Sequence, residues 1–220
     1  MKEILEKLKD DDHYYGEFGQ QYLSNSDIIT LLNDPKSFRK PKDFTKPMLI
    51  GRYFHTAMLE PEKLASEEFT SIDVSSRNSK KYKEEIAEYG RSLMMLDKEK
   101  AETDKAISLM KNNLEFFEDI YDSRNEFEVP AVQEVMGMMW KGKADIVAND
   151  MLIDLKTTGN IKDFKYSARK YNYDSQAYHP SQTFLMNGKE KVERAIEVYN
   201  KFYSKDAKED IENYIIKEIL

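Results

Sequence analysis

The stretch from Lys141 to Thr158, KGKADIVANDMLIDLKTT, decides how the rest of this chain is read. It holds two short runs of alternating or β-branched residues joined at Asn149-Asp150, a pair suited to tight turns. A turn centred there sets Val147 against Leu152, Asp145 against Asp154 and Lys143 against Lys156. Side chains on one strand face recur at every second residue, so Lys156 then shares a face with Asp154. Two carboxylates and one ammonium converge. Opposed carboxylates repel unless a cation lies between them, and hard oxygen donors with room for water suit a divalent ion such as Mg2+ or Mn2+. The same residues also describe a polar hairpin whose acids and lysines are solvated and paired, because Asp-x-Lys is short and common.

Length and composition bound what such a hairpin can belong to. At 220 residues, with 40% hydrophobic and 34% charged residues, the chain is long enough for one sizeable core. No apolar run approaches the roughly 20 residues of a membrane span and no signal peptide opens the chain, so a cytoplasmic protein without a membrane partner is expected. Cysteine is absent, which excludes disulfides and thiolate metal sites. The net charge of −7 argues against a histone-like protein. It is compatible with a phosphodiester substrate, which needs only a local basic lining beside an acidic metal site.

Upstream, residues 1–12 have a helical apolar pattern that ends in an acidic run. Residues 22–39, YLSNSDIITLLNDPKSFR, predict a helix with Ser26 as N-cap and Asn33-Asp34-Pro35 as its stop. A second helix follows in KPMLIGRYFHTAMLEPEK, with Pro47 in its first turn and Gly51 and His55 four apart on one face. A glycine inside a helix costs about 1 kcal/mol against alanine, so a close neighbour is expected at Gly51. A lone helical histidine reads first as a partly buried, hydrogen-bonded ring. Residues 62–124 form a charged helical elaboration, with Asp97 as an N-cap. Arg77, Lys80, Lys81 and Lys83 make the densest basic cluster, either a solvated helix face or a nucleic-acid contact.

From about Asn125 valine, methionine and period-two alternation predict strands, with a sheet starting near Glu128 and extended by the hairpin. Beyond Thr158, helices are expected at 163–170 and 174–179, the second ended by Pro180. An amphipathic tail over 190–220 completes the chain. Residues 1–220 are read as one α/β (α+β) domain with its catalytic sheet and helices at about 125–185.

In order the chain presents Gly51-x-x-x-His55 on a helix, Gly142-x-x-Asp145 ending a strand, Asp154-Leu155-Lys156 on the next, and Tyr173-Asp174-x-Gln176-Ala177 on a helix. This succession resembles the PD-(D/E)XK nuclease superfamily, and within it the RecB-like branch of phage recombination exonucleases of the RecE and exonuclease VIII type. The resemblance also takes in LSNSDIITLLNDPKSF and the basic segment from Arg77 to Tyr82, so it covers residues from about 22 to 185. It implies a restriction-endonuclease-like fold, a central mixed sheet flanked by helices. It implies side-chain metal ligands at His55, Asp145 and Asp154, a further ligand in the Leu155 carbonyl, and Mg2+ or Mn2+ as cofactor. Lys156 would orient or deprotonate the attacking water, and Gln176 would position the lysine or the DNA. Arg77, Lys80, Lys81, Tyr173 and Tyr178 would contact DNA.

By the same resemblance the expected activity is a metal-dependent deoxyribonuclease that digests linear duplex ends from 5′ to 3′ and leaves a 3′ single strand. A single-strand annealing protein, a homo-oligomeric ring and a phage or prophage origin in a bacterial cytoplasm belong to that expectation. An endonuclease or single-strand nuclease of the same fold, and a DNA-binding or assembly subunit that does not cut, are the alternatives. Two positions depart from the branch. Pro180 stands where an aromatic often follows the glutamine, and MNGKEKVERAIEV is a shortened version of the usual next strand.

Overall fold

A computed structural model describes residues 1–65, 67–148, 151–171, 173 and 193–200. Its contacts gather into two compact units. One unit comprises Met1–Lys40, Pro130–Lys143 and Asn160–Leu220, the other Pro41–Val129 and Ala144–Gly159.

In the first unit, helices α1 (Lys2–Leu8) and α2 (Asp11–Tyr15) are separated by Lys9 and Asp10, and the Asp10 carboxylate accepts the His13 N–H at 3.0 Å and so caps α2. Helix α3 (Asn25–Asn33) is capped by Ser24 and not by the expected Ser26. The reason is Asp27, three residues after Ser24: its carboxylate accepts both the Ser24 N–H and the Ser24 hydroxyl at 2.8 Å. Asp34-Pro35 ends the helix as read. Ile28 and Leu31 of α3 pack with Leu23, Phe38, Ala195 and Ile196 into this unit's core. Helix α8 (Phe164–Lys170) closely matches the expectation for 163–170, whereas the helix expected at 174–179 lies outside the described residues.

Strands β3 (Glu126–Val135) and β4 (Met138–Val147) are joined by Met136-Gly137, both at positive φ, 54° and 77°. Such a pair makes the two-residue turn whose twist suits a hairpin. Beside the turn, Leu23 forms a parallel bridge with Trp140, donating its N–H to the Met139 carbonyl at 3.0 Å and accepting the Lys141 N–H at 2.8 Å. Lys141 and Lys143 project from one face of β4 onto α2. The Lys141 ammonium donates to the Tyr14 carbonyl, Lys143 pairs with Asp11 at 2.6 Å, and both lie over the Tyr14 ring. Gly19 is required here, since a Cβ would stand 1.9 Å from the Tyr14 carbonyl oxygen.

The second unit is built around α4 (Lys46–Leu59), which starts with Pro47 in its first turn as read. Leu49, Tyr53, Phe54, Ala57, Met58 and Leu59 of α4 are buried with Phe69, Met95, Ile107, Ile120, Ile146 and Leu155. Helices α6 (Asp97–Lys111) and α7 (Leu114–Ile120) supply part of that wall. The last-turn carbonyls of α4 would otherwise lack partners. Lys111 donates to that of Ala57 at 2.9 Å, and the Tyr121 hydroxyl to that of Met58 at 2.8 Å.

Strands β1 (Ser71–Ile72) and β2 (Met95–Leu96) pair in parallel, with α5 (Lys80–Tyr89) between them in sequence. Helix α6 is capped at Leu96 and not at Asp97, because the Glu99 carboxylate reaches back to accept the Leu96 N–H at 3.0 Å. Strand β5 (Leu152–Ile153) completes the order β3-β4-β5. The fold is α+β, a small antiparallel sheet flanked by helices. Parallel pairing occurs between β1 and β2 and in the Leu23-Trp140 bridge to β4. Among the described residues no helix is long and apolar enough to cross a membrane.

Candidate metal centre

The hairpin register is the one the sequence predicts: Val147 pairs with Leu152 and Ile146 with Ile153. Asn149 and Asp150 lie outside the described residues. The Ala148 N–H donates to the Met151 carbonyl at 3.0 Å. Strand β5 ends at Ile153, so Asp154, Leu155 and Lys156 follow it as irregular chain. The Leu155 side chain is buried in the core, and its N–H donates to Asp145 at 2.7 Å.

Asp145 is 13% exposed and its Oδ2 lies 3.5 Å from His55 Nδ1 on α4. Burial pushes the Asp145 carboxyl above the usual carboxylate range. His55 and the Leu155 N–H pull it back, Asp154 raises it further and Lys156 lowers it. A buried carboxyl near a second acid is a group whose ionised form an added cation would favour.

The sequence reading missed a third donor. Among the described residues, His55, Glu128 and Asp145 offer ligand atoms that all lie within 4.8 Å of one another. Glu128 stands eight residues before Met136 and Asp145 eight after Gly137, so counting back from the turn brings them opposite each other across β3 and β4. The signal was therefore Gly137, a turn residue inside what reads as one run of strand. Glu128 itself has a φ of 50°, rare for a residue with a side chain. Backbone in this region costs of order 1–3 kcal/mol and gathers at functional sites.

The donor set fits a divalent ion. One imidazole nitrogen and two carboxylates are a nitrogen and oxygen set that suits manganese and, through the carboxylates, magnesium. Ligand atoms about 2.1 Å from such an ion stand up to about 4.2 Å apart, so small side-chain rotations would bring these three onto one ion.

Other expected site residues are distributed as follows. Lys156 forms an ion pair with Asp154, which is thereby turned toward the lysine and is not in the tight triad. The close neighbour expected at Gly51 is not found among the described residues: a Cβ there would meet Thr157 Oγ1 at 3.6 Å, an ordinary contact that would admit alanine. The expected pairing of Lys143 with Lys156 is not formed, because β5 stops at Ile153 and Lys143 reaches Asp11. Arg77 holds Glu99 through both guanidinium nitrogens and also donates to the Met94 carbonyl at 3.2 Å, so it staples this unit's interior. Lys80 and Lys81 are exposed, Lys80 with Glu84 at 3.6 Å. Tyr173 stacks on Tyr171 with ring centroids 6.1 Å apart, whereas the positions assigned to Gln176 and Tyr178 lie outside the described residues.

No curated protein and no solved structure matches the chain. Residues 30–179 match the family described as PDDEXK-like domain of unknown function (DUF3799). That match contains α4 with His55, both strands of the Asp145 hairpin and the Lys156 segment. The chain belongs to this family, and so to the PD-(D/E)XK superfamily of nuclease-type domains.

Proposed function

We propose that the protein is a metal-dependent deoxyribonuclease acting on the ends of linear duplex DNA. The observation that carries this reading is the convergence of His55, Glu128 and Asp145 beside the Asp154-Leu155-Lys156 segment. A divalent ion, Mg2+ or Mn2+, would supply positive charge against the phosphate and ease the ionisation of water. His55, Glu128 and Asp145 would hold it, with Asp154 and the Leu155 carbonyl as further donors. Lys156 holds the attacking water in line and manages its proton. Gln176 positions that lysine or the DNA.

The direction of digestion, 5′ to 3′ with a 3′ single strand left for an annealing partner, follows the resemblance to recombination exonucleases. A ring of identical subunits in a bacterial cytoplasm belongs to the same reading. The test is a digestion time course on linear duplexes labelled at either end, beside a closed circle, with magnesium, manganese or chelator. Loss of the 5′ label from the linear duplex alone, only with metal, is expected. Cutting of the circle would make the enzyme an endonuclease, and cutting in excess chelator would overturn the metal assignment.

A further inference from the structure

We infer that α8 and the residues bordering it form a stacking and backbone-tracking surface for single-stranded nucleic acid, a proposal that rests on the nuclease reading by giving its product strand a place to bind. Residues 160–171, NIKDFKYSARKY, carry Lys162, Lys165, Arg169 and Lys170 against a single acid. That acid, Asp163, accepts from the Asn160 amide at 2.7 Å. All four cations are exposed, and among the described residues none of them is ion-paired to a carboxylate. In a chain of net charge −7 this is a local excess of positive charge.

Aromatic rings are interleaved with those cations and face solvent. Tyr166 is 58% exposed and Tyr171 45%. The Lys165 ammonium lies 4.9 Å from the Tyr166 ring centre and that of Lys170 lies 5.3 Å from the Tyr171 ring. Tyr171 and Tyr173 stack with their planes 27° apart, and Phe164 packs on Tyr173 at 6.0 Å. Tyr166 and Lys170 are four apart, as are Lys165 and Arg169, so each pair is adjacent on the helix surface. Cations track a phosphodiester backbone, and flat rings accept any base by its face. The surface therefore fits a strand whose bases are unpaired better than a duplex, whose bases are already stacked. Three of the exposed groups are rings or a single isoleucine, Ile161, and not the aliphatic face that a lipid surface requires.

The basic cluster of Arg77, Lys80, Lys81 and Lys83 differs in its neighbouring ring and in its charge balance. Its Tyr82 is buried at 3% exposure, its Arg77 is held by Glu99, and Glu84 and Glu85 follow Lys83 directly.

The experiment measures binding of the full chain to a fluorescent 30-nucleotide oligothymidylate and to a blunt duplex of equal length, in chelator so that nothing is cut. Tyr166→Ala and Tyr171→Ala should each weaken oligothymidylate binding by about fivefold or more and affect the duplex less. Tyr166→Phe and Tyr171→Phe should bind as the parent does. The triple variant Lys165→Ala, Arg169→Ala, Lys170→Ala should lower the slope of log affinity against log salt by about 2. Thermal melts of every variant should match the parent, since the changed groups are exposed.

Oligothymidylate affinity within twofold of the parent in all alanine variants would overturn the surface. So would equal losses for Phe and Ala, which would mean the ring faces are not used. Loss of binding to anionic lipid vesicles with unchanged oligonucleotide binding would overturn it in favour of a membrane. A parent protein that never cuts with magnesium or manganese, while its variants lose oligothymidylate binding, would defeat the nuclease reading and support the α8 surface.

Discussion

Strand β4 carries charge at both ends and treats it in opposite ways. Near the turn, Lys141 and Lys143 are matched: one donates to the Tyr14 carbonyl, the other pairs with Asp11, and the Tyr14 ring lies under both. Burial, with repulsion from Arg39 second, still lowers the Lys141 ammonium to about 8, so this matching is structural and incomplete. Eight residues beyond Gly137 the pattern inverts. Asp145 has Glu128 within 4.8 Å and a carboxyl pushed up by burial. Charge is balanced where the chain holds itself together and accumulated where a further cation can bind.

The strongest way to break that contrast is Asp145→Asn. If accumulated charge holds a metal, cleavage should fall by about a thousandfold, the scale of several kcal/mol of lost charge stabilisation. Stability in chelator should rise, and the sign follows from the raised carboxyl. Between its unfolded value near 3.8 and its higher folded value, the native state binds more protons, so stability falls as pH climbs through that window. The amide removes that loss at neutral pH. A variant that keeps cutting, or melts earlier in chelator, would mean that Asp145 is a matched structural charge like Lys143.

Glu99 offers the opposite case inside the same unit as the site. Burial raises its carboxyl, but Arg77, Lys46 at 2.9 Å and the Leu96 N–H together hold it at about 2. Glu99→Gln should cost about 3 kcal/mol, because it leaves the Arg77 guanidinium facing a neutral amide. In the parent, stability should be lost as pH falls from about 4.5 to about 2, the interval between the unfolded and folded values. Urea melts at pH 7 and pH 3 check both. An unchanged midpoint for the variant would show that Arg77 is available for DNA after all.

Next in size is the pair of lysines. Lys156→Ala should slow the chemical step by about a hundredfold under single turnover with saturating enzyme, with little change in the melt. Lys143→Ala should leave that step within a few fold and cost about 1 kcal/mol through its ion pair with Asp11 and its contact with Tyr14. Comparable kinetic losses in the two would remove the distinction between the ends of β4.

What could be read from sequence depended on how far apart the partners lie. The β4-β5 register was legible because only four residues lie between Val147 and Leu152 and alternation leaves one pairing that keeps Ile146 and Ile153 together. His55 became a metal ligand only through the resemblance, since a lone helical histidine reads first as a hydrogen-bonded ring. Glu128 was not legible, because its meeting with Asp145 depends on a turn whose first residue is methionine, not the asparagine or aspartate that marks such turns. The Arg77 partner was not legible, because charge alone does not name a partner and Glu99 lies 22 residues away. Lys143 read as a neighbour of Lys156 for the same reason, since Asp11 lies 132 residues away in sequence.

The smallest expected effect tests the turn that sets both ends of β4. Met136 is 40% exposed and holds a φ of 54°, so its side chain contributes little packing while its backbone is strained. Asparagine tolerates this region, and Asn-Gly is the preferred pair for the turn, so Met136→Asn should stabilise the protein by about 0.5–1 kcal/mol. Cleavage and metal dependence should not change, because the same register keeps Glu128 and Asp145 equidistant from the turn. A stabilised variant with altered metal dependence would show that the turn is not what brings these carboxylates together. The φ of 50° at Glu128 would then be the feature that aims that side chain, and Glu128→Gly, which frees the backbone and removes the donor, would have to be compared with Glu128→Gln, which removes only the charge.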